Sequence, residues 1–317
     1  MDDLTTLPGV GPGTSDKMRE GGINSFMAIA VLTPGQIKDM AGITESAARK
    51  LIQAARDLCA LGFNTGFKME EDEKAKEEKL GSLYIPTNCE SIDTLLGGGL
   101  KLGTTMEAYG ESESGKSNLS HLLAASSIKT FPGTYVVYID TESKFSPKRF
   151  KSFYEGLGGT DPEEALKYVI VGQSFNSDHQ QLLTEQVDNL IEVDGKDVKL
   201  IVVDSLMHHF RAEYLGRGTL SARQQMINGY LNRISTLIHK HGMAVYLVNQ
   251  IQIDPGVAFG NPIKAIGGSI VSHYATTRVF MRRAAKGNRV IVLKDSPDLP
   301  EGEAIFKICD DKFESIE

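Results

Sequence analysis

The sequence predicts an α/β protein, with a main domain built on a mostly parallel sheet and a small helical domain before it. Three observations lead to this fold class. Beyond about residue 80, short apolar runs rich in β-branched residues alternate with longer amphipathic stretches, a pattern typical of alternating strands and helices. A glycine-rich turn joins one of these runs to a helical stretch. Before residue 80, helical stretches and glycine turns are followed by a strongly charged segment.

The first 62 residues are predicted to be helical. Residues 7–12, Leu-Pro-Gly-Val-Gly-Pro, are a turn signal, because proline and glycine break helices and glycine tolerates positive φ. Residues 14–16 can cap the helix that follows. A second turn lies at residues 41–43, and a helix-forming stretch continues from it to residue 61.

The segment after these helices changes character, since residues 68–79 are almost entirely charged. Such a segment cannot bury a core, and it is either a solvated linker or an exposed helix. We place the domain boundary here. The predicted parts are a helical domain over residues 1–62, a charged linker over 63–80 and the main domain over 81–317.

The main domain contains apolar runs that are predicted to be strands. They are residues 134–140, 199–205, 244–250 and 276–281, with closing strands at 289–294 and 303–308. Continuous apolar strands that alternate with helices indicate a mainly parallel sheet covered on both faces.

Composition limits the class of protein. The three cysteines, Cys59, Cys89 and Cys309, lack CxxC spacing, which argues against a disulfide framework or a zinc site. No apolar run reaches the roughly 18 residues of a membrane span. The acidic start differs from a signal peptide, so we expect a cytoplasmic protein without a membrane partner. The net charge of −7 counts mildly against nucleic-acid binding, although acidic residues elsewhere can hide a basic stripe.

Residues 110–117, Gly-Glu-Ser-Glu-Ser-Gly-Lys-Ser, match the phosphate-loop pattern G-x4-G-K-[ST]. They lie between a strand-like run and a helical run that begins near Asn118. In such a loop the backbone N–H groups and the helix N-terminus face phosphates. The predicted nucleotide-binding residues are Gly110, Glu111, Ser112, Glu113, Ser114, Gly115, Lys116, Ser117 and Asn118. Lys116 would bind the β- and γ-phosphates of ATP, and Ser117 would ligate Mg²⁺.

Two carboxylates follow predicted strands. Asp204 ends the apolar run 199–205 and can hold the magnesium shell. Glu142 lies just beyond the run 134–140. It is the best candidate for the group that activates water at the γ-phosphate, and the alternative is an ordinary loop carboxylate.

Eight further segments resemble the RecA/RadA family of strand-exchange recombinases. They are residues 7–12 (LPGVGP), 95–99 (LLGGG), 175–180 (FNSDHQ), 210–218 (FRAEYLGRG), 222–225 (ARQQ), 249–250 (NQ), 266–268 (IGG) and 295–301 (DSPDLPE). The resemblance covers nearly the whole chain except about residues 63–79. It implies a RecA-type ATPase core after a helix-hairpin-helix domain. It also implies ATP-dependent strand exchange by a filament on single-stranded DNA.

The resemblance also implies roles around the nucleotide. Glu142, Gln250 and Lys116 would be catalytic, and Arg149 would pack against the adenine. Gln250 and His273 would sense the γ-phosphate. A neighbouring subunit would contribute the remaining residues, which are Pro300 over the adenine and Asp295 and Glu301 beside a monovalent cation such as K⁺. ATP would then lie between subunits of a ring or a filament.

DNA contacts are implied in three places. Arg211, Arg217 and Arg223 fall in the segment that resembles the first DNA-binding loop, and ordinary surface charge is the alternative for them. A second loop, residues 251–265, would offer Val257, Phe259 and Lys264 to single-stranded DNA, with Phe259 as a core residue the alternative. Finally, the turn containing Gly9 and Gly11 would present backbone N–H groups to duplex phosphates.

The chain departs from the family pattern at several positions. Glu113 and Ser143 stand where the family usually has glycine, Ser269 replaces a histidine and Met207 replaces a threonine. The subunit-tethering motif Phe-x-x-Ala is incomplete, because Phe67 lacks the alanine; Phe63 is another possible anchor.

Three functions remain open from the sequence. The first is a recombinase, favoured by the N-terminal domain and the three arginines. The second is a regulatory paralogue that binds ATP and DNA but hydrolyses ATP poorly, favoured by the departures near the phosphates. The third is a RecA-fold helicase or circadian-type ATPase, which would share the phosphate loop but not the arginine segment or the N-terminal turns.

Overall fold

The computed structural model describes residues 2–214, 216–253 and 263–316. The chain divides into two compact units, and each is described by itself. The first comprises Met1–Gly81 with Gln186–Lys196, and the second comprises Ser82–Glu185 with Asp197–Glu317.

The first unit is helical. A 3₁₀ turn at Leu4–Thr6 precedes five helices: α1 (Pro12–Glu20), α2 (Phe26–Val31), α3 (Pro34–Ala41), α4 (Glu45–Leu58) and α5 (Gly66–Leu80). Side-chain caps explain several starts, since Ser25 accepts from the Ala28 N–H and Thr33 forms a capping box with Gln36. Helix α3 ends at Gly42 with φ 67°, a left-handed conformation that favours glycine.

The charged segment forms helix α5, so the second of the two sequence alternatives is correct. Thr65 caps the helix, Gly81 ends it at φ 79°, and none of its residues is buried. Ion pairs one turn apart, such as Lys68 with Asp72 at 2.9 Å, support an exposed helix.

The second unit contains a ten-stranded sheet, and the α/β fold class with a mainly parallel sheet is confirmed. The strand order is β12-β11-β10-β9-β3-β7-β6-β4-β5, and β8 pairs with β7. The neighbouring strands from β9 through β3, β7, β6 and β4 to β5 are all parallel. The neighbours β9, β10, β11 and β12 pair antiparallel.

The strands of this sheet are β3 (Thr105–Gly110), β4 (Tyr135–Asp140), β5 (Val169–Gln173), β6 (Val198–Asp204), β7 (Ala244–Ile253), β8 (Ile263–Ala265), β9 (Thr277–Arg283), β10 (Arg289–Asp295), β11 (Gly302–Ile308) and β12 (Phe313–Ser315). A separate two-stranded sheet joins β1 (Tyr84–Ile85) and β2 (Leu100–Lys101).

The helices of this part of the chain are α6 (Glu90–Leu95), α7 (Lys116–Thr130), α8 (Pro147–Gly156), α9 (Pro162–Leu166), α10 (Ser177–Glu192), α11 (His208–Glu213), α12 (Leu220–His241) and α13 (Gly268–Tyr274). Within the three described stretches, no helix has the length and apolar character that crossing a membrane requires.

The predicted strands are present, but the sequence missed the short strands β1, β2, β8 and β12 and also β5. This strand lies at the edge of the sheet, and its residues are half-buried or exposed. It therefore lacks the continuous apolar run of a central parallel strand. Sheet pairing places Asp140 beside Asp204 and Gly110 beside Gln250. The carboxyl ends of β3, β4, β6 and β7 thus lie along one edge, where α/β proteins bind ligands.

Candidate nucleotide-binding site

The loop between β3 and α7 needs glycine at both of its ends. A Cβ at Gly110 would lie 1.9 Å from the carbonyl oxygen of Met281. Gly115, the N-cap of α7, has φ 103°, and a Cβ there would lie 2.7 Å from Cδ1 of Ile308. The backbone of Met281 cannot yield to a side chain at Gly110, and the φ of Gly115 disfavours any side chain, so the loop conformation depends on both glycines. The loop therefore delivers its backbone to the N-terminus of a helix, the arrangement that binds anions.

Lys116 is the first residue of α7, and its side chain crosses the loop. Nζ donates to the carbonyl oxygens of Gly110 and Glu111, at 2.8 and 2.5 Å, and to Oγ of Ser114 at 3.3 Å. Burial lowers the pKa of Lys116 to about 8, with Asp204 opposing the shift. Because the nearest partners are neutral, a phosphate would stabilise this buried ammonium.

A cavity of about 390 Å³ opens beside the loop, within the usual size range of small-ligand sites. Its polar lining residues include Ser112, Glu113, Lys116, Ser117, Asn118, Glu142, Lys144, Asp204, Ser205 and Gln250. The structure thus brings the phosphate-loop residues together with both predicted carboxylates and with Gln250.

Asp204 is buried at the end of β6. Its Oδ2 accepts from the hydroxyl of Tyr138 at 3.1 Å and from Oγ of Ser120 at 3.4 Å. Burial raises the pKa of Asp204, while hydrogen bonds from Ser117 and Tyr138 oppose the rise. A carboxylate beside the Ser117 hydroxyl suits Mg²⁺, which takes few protein ligands and completes its shell with phosphate oxygens and water. Among the described residues, no group of three or more His, Cys, Asp or Glu is placed to hold a metal, so phosphate oxygens would be needed.

Glu142 lies on the loop after β4, and its side chain is 12% exposed. Oε1 accepts from Oγ of Ser205 at 2.6 Å and from Nε2 of Gln250 at 3.1 Å. Lys144 forms an ion pair with Oε2, and Nδ1 of His208 lies 3.8 Å from Oε1. Burial would raise the pKa of Glu142, but the contacts with Lys144 and Ser205 outweigh it and the pKa is lowered. Glu142 is therefore an oriented, ionised carboxylate.

The loop that carries Glu142 is fixed by Asp140. Its Oδ1 accepts from the backbone N–H groups of Glu142 and Lys144, at 3.1 and 3.0 Å, and its Oδ2 accepts from that of Phe145 at 2.8 Å. Oγ1 of Thr141 also exchanges hydrogen bonds with the backbone of Ser205. Sequence reasoning missed Asp140, although an aspartate at a strand end was the signal that singled out Asp204.

Hydrogen bonds fix the orientation of the guanidinium of Arg149, which lies on α8. Nε donates to Oδ1 of Asn118 at 2.9 Å, and the two terminal nitrogens donate to the carbonyl oxygens of Asp310 and Cys309, both at 2.8 Å. Its Cζ lies 4.2 Å from the centre of the Phe153 ring. A guanidinium fixed in this way suits stacking on a flat base, which is the role expected for Arg149.

Family models match both parts of the chain. The family model described as Rad51 matches residues 78–315, and the model of a SAM-like helix-hairpin-helix tandem matches residues 1–57. The chain belongs to the Rad51 family. It is 39% identical over 324 residues to the "DNA repair and recombination protein RadA" of Methanocorpusculum labreanum, and 40% identical over 321 residues to the protein of that name from Methanoculleus marisnigri. Each alignment covers 96% of both chains.

Membership of the Rad51 family confirms the resemblance noted in the sequence. The RecA-type core and the helix-hairpin-helix domain are confirmed with it. This is a family of DNA repair and recombination proteins that use ATP and Mg²⁺ and bind DNA. The two RadA relatives align over nearly their whole length, which does not favour a regulatory paralogue.

Two departures from the family pattern fall on unusual backbone. Glu113 and Ser143, where the family usually has glycine, have φ 61° and 54°, a left-handed conformation that costs a non-glycine residue about 1 kcal/mol. The Glu113 carboxylate lies 3.4 Å from a terminal nitrogen of Arg283, and its carbonyl accepts from Nε of Arg289 at 2.9 Å. These arginines hold Glu113 in place and offset its charge beside the cavity.

The other residues expected near the nucleotide lie elsewhere in this single chain. His273 is exposed on α13. Pro300, Asp295 and Glu301 are exposed where β10 leads into β11, and they do not line the cavity described above. Their expected roles involve a neighbouring subunit and stay predictions.

The described residues of the segment that resembles the first DNA-binding loop are largely helical, and the DNA contacts expected of its arginines stay predictions. Arg211 is exposed on α11, and Arg223 lies in the first turn of α12. Nε of Arg223 is buried and has no hydrogen-bond partner among the described residues. Arg217 begins a 3₁₀ turn, and its side chain lies outside the described part of the structure. Helix-forming stretches on both sides of the glycines explain why these residues are helical.

The segment expected to form the second loop, residues 251–265, begins and ends in strand residues. Its two ends form the antiparallel pair β7–β8, with Gln252 opposite Lys264, which is exposed. Val257 and Phe259 lie outside the described residues. In the first unit, Gly9 has φ 80° and Gly11 is the N-cap of α1, and both are exposed.

We expect Lys116→Ala to weaken ATP binding by roughly 10- to 150-fold, because a hydrogen bond to a charged group contributes about 1.5–3 kcal/mol. Isothermal titration calorimetry with ATP and Mg²⁺ measures this. Lys129→Ala is the matched control, since Lys129 is exposed in the last turn of the same helix. Equal affinities of the two variants would contradict the assignment of Lys116.

Ser143→Gly should stabilise the protein by about 0.5–1 kcal/mol, because it removes the Cβ from a left-handed residue. Thermal unfolding should show a rise in Tm of roughly 1–3 °C. Ser143→Ala removes only the hydroxyl and serves as the control. If the alanine variant gains as much as the glycine variant, backbone conformation is not the cause.

Proposed function

We propose that the protein is an ATP-dependent DNA strand-exchange recombinase that assembles into filaments on single-stranded DNA. One observation carries the proposal most directly. The carboxylate placed to activate water, Glu142, accepts a hydrogen bond from Gln250, and Gln250 lies on the strand that leads into the β7–β8 hairpin. The chemistry of the nucleotide and a candidate DNA-binding segment are therefore joined by one short stretch of backbone.

The residues of the cavity divide the hydrolytic work. Lys116 and the loop N–H groups bind the phosphates and neutralise charge that develops on them. Mg²⁺, held through Ser117 and Asp204, would polarise the phosphate oxygens. Glu142 orients a water molecule in line with the terminal phosphorus and accepts its proton, because its carboxyl is ionised. Ser205 and Gln250 keep the carboxylate in that position.

DNA would be bound close to the same edge of the sheet. Helix α11 begins four residues after Asp204, and it carries Arg211 exposed to solvent. Arg223 is half-buried in the first turn of α12. We assign phosphate contacts on single-stranded DNA to Arg211, Arg217 and Arg223. Duplex contacts we assign to the backbone at Gly9 and Gly11.

Assembly would use the segment between residues 58 and 66. Phe63 is fully exposed and lies outside any helix, whereas Phe67 lies in the first turn of α5. An exposed aromatic side chain outside a helix can serve as an anchor in a pocket of a second copy, so we propose Phe63 as the anchor. Pro300, Asp295 and Glu301 would meet the nucleotide of the neighbouring subunit, the last two with K⁺. Work on chromosomal DNA would place the protein in the cytoplasm.

Strand exchange between circular single-stranded DNA and homologous linear duplex, with ATP and Mg²⁺, tests the proposal. Joint molecules and nicked circles are expected with ATP and absent with ADP. A protein that binds both DNA and ATP but forms no joint molecules would instead be the regulatory paralogue.

Glu142→Gln should retain ATP binding but lower DNA-stimulated hydrolysis by about 10²–10⁴-fold, since the amide cannot accept a proton. Phosphate release in the presence of single-stranded DNA gives the rate. Glu163→Gln, which alters an exposed carboxylate paired with Lys151, is the control. Turnover at the wild-type rate in Glu142→Gln would exclude Glu142 as the base.

Arg211→Ala and Arg223→Ala should each weaken binding to single-stranded DNA for every base sequence, because phosphate contacts carry no base information. Each lost contact should also reduce the log–log salt dependence by roughly 0.7. Fluorescence titration of a labelled oligonucleotide at several salt concentrations measures both quantities. Arg282→Ala, at an exposed arginine of β9 paired with Glu303, is the control. An unchanged salt dependence in both test variants would argue against DNA binding through this segment.

A further inference from the structure

Lys144 is a residue of the cavity that the sequence did not single out. It lies two positions after Glu142, and its Nζ forms an ion pair with Oε2 of that residue. Its backbone is fixed, because its N–H donates to Oδ1 of Asp140 at 3.0 Å. Its side chain is 51% exposed and lines the same cavity as Lys116. The backbone therefore holds Lys144 in place while the ammonium group remains free to reorient.

The two lysines of the cavity have different surroundings. Lys116 is buried, and three oxygens of the phosphate loop hold its ammonium. Among the described residues, Lys144 contacts one carboxylate, that of Glu142, from the surface of the cavity. Its charge also acts on Lys116, because after burial it is a further cause of the lowered Lys116 pKa. Two ammonium groups close enough for one to lower the pKa of the other can both bind one polyanion in the cavity between them.

The Glu142 carboxylate does not need Lys144 for its position. Oε1 is held by Ser205 and Gln250, and Lys144 contacts the other oxygen, Oε2. If the ammonium moved away, Oε2 would become available to a water molecule while the hydrogen bonds to Oε1 kept the carboxylate oriented. Lys144 thus covers the oxygen that a catalytic base would use.

We propose that Lys144 is a second phosphate-binding lysine, which leaves Glu142 for the terminal phosphate of ATP and thereby exposes the Glu142 carboxylate to water. The inference rests on the proposed function, because it requires ATP in this cavity. A triphosphate with Mg²⁺ would place several anionic oxygens near Lys144, whereas Glu142 offers it one carboxylate. ADP lacks the terminal phosphate, so the ammonium stays on Glu142 and the carboxylate stays covered. The exchange makes the site discriminate between ATP and ADP.

Equilibrium binding of a non-hydrolysable ATP analogue and of ADP to the full chain, each with Mg²⁺, tests the proposal. Lys144→Met keeps the length of the side chain and removes its charge. It should weaken binding of the analogue by about tenfold or more, as expected for a lost charge-assisted hydrogen bond, and change ADP affinity less than twofold. Lys144→Arg should restore most of the preference. Lys148→Met, at an exposed lysine of α8, should bind both nucleotides as the wild type does.

A double-mutant cycle with Glu142→Gln distinguishes two cases: Lys144 moves from Glu142 to the phosphate, or it stays paired with Glu142. Removing the carboxylate frees Lys144, so Glu142→Gln should tighten analogue binding more in the wild-type background than in the Lys144→Met background. The reverse order, or an unchanged preference for the analogue in Lys144→Met, would overturn the proposal. If the wild type binds ATP and exchanges strands in that case, only the role of Lys144 is wrong. If the wild type binds neither nucleotide, the proposed function fails as well.

Discussion

The site depends on the alignment of four parallel strands, β3, β4, β6 and β7, whose carboxyl ends lie side by side. Pairing sets Asp140 beside Asp204 and Gly110 beside Gln250. Because these strands are buried on both faces, a shift of one residue would exchange the side chains that pack on the two faces and disrupt the core on each of them. The register that protects the core therefore also fixes the relative positions of the phosphate loop, the two carboxylates and the glutamine.

Much of this arrangement could be predicted from the sequence, because it is encoded by short patterns. Strand runs that end at Asp140, Asp204 and Gln250, and the glycine-rich loop before Lys116, are local signals. The ion pair between Lys144 and Glu142 is different, because it depends on where a side chain reaches in the fold. The chain has 34 lysines and arginines, and no local feature marks Lys144 among them. The edge strand β5 was missed for a related reason, since its half-exposed residues lack a strand's apolar run.

Electrostatics imposes conflicting requirements on the part of the cavity where Glu142 faces the expected phosphates. A base must be ionised to accept a proton, yet a carboxylate beside a polyphosphate repels it. While it is paired with Glu142, Lys144 helps to lower the pKa of that carboxyl, and its positive charge lies at the cavity whether it contacts the carboxylate or the phosphate proposed for it. Glu113 poses the same difficulty at the phosphate loop, where Arg283 offsets its charge.

In the proposed recombinase, a rigid β7 strand would connect the nucleotide site at Gln250 to the candidate DNA-binding segment. Next to Gln250, the buried Asn249 donates from Nδ2 to Oε1 of Glu107 and to the carbonyl oxygen of Ile266, both at 2.7 Å. Glu107 is itself paired with Arg278 at 2.7 Å, and breaking a buried pair of this kind is strongly unfavourable. Asn249 therefore ties β7 to the segment that follows β8, so the two ends of the hairpin are anchored to one buried network. In the proposed recombinase, a displacement of Gln250 by the terminal phosphate would move the paired residues of β7 and β8 together, because this buried network holds the base of both strands.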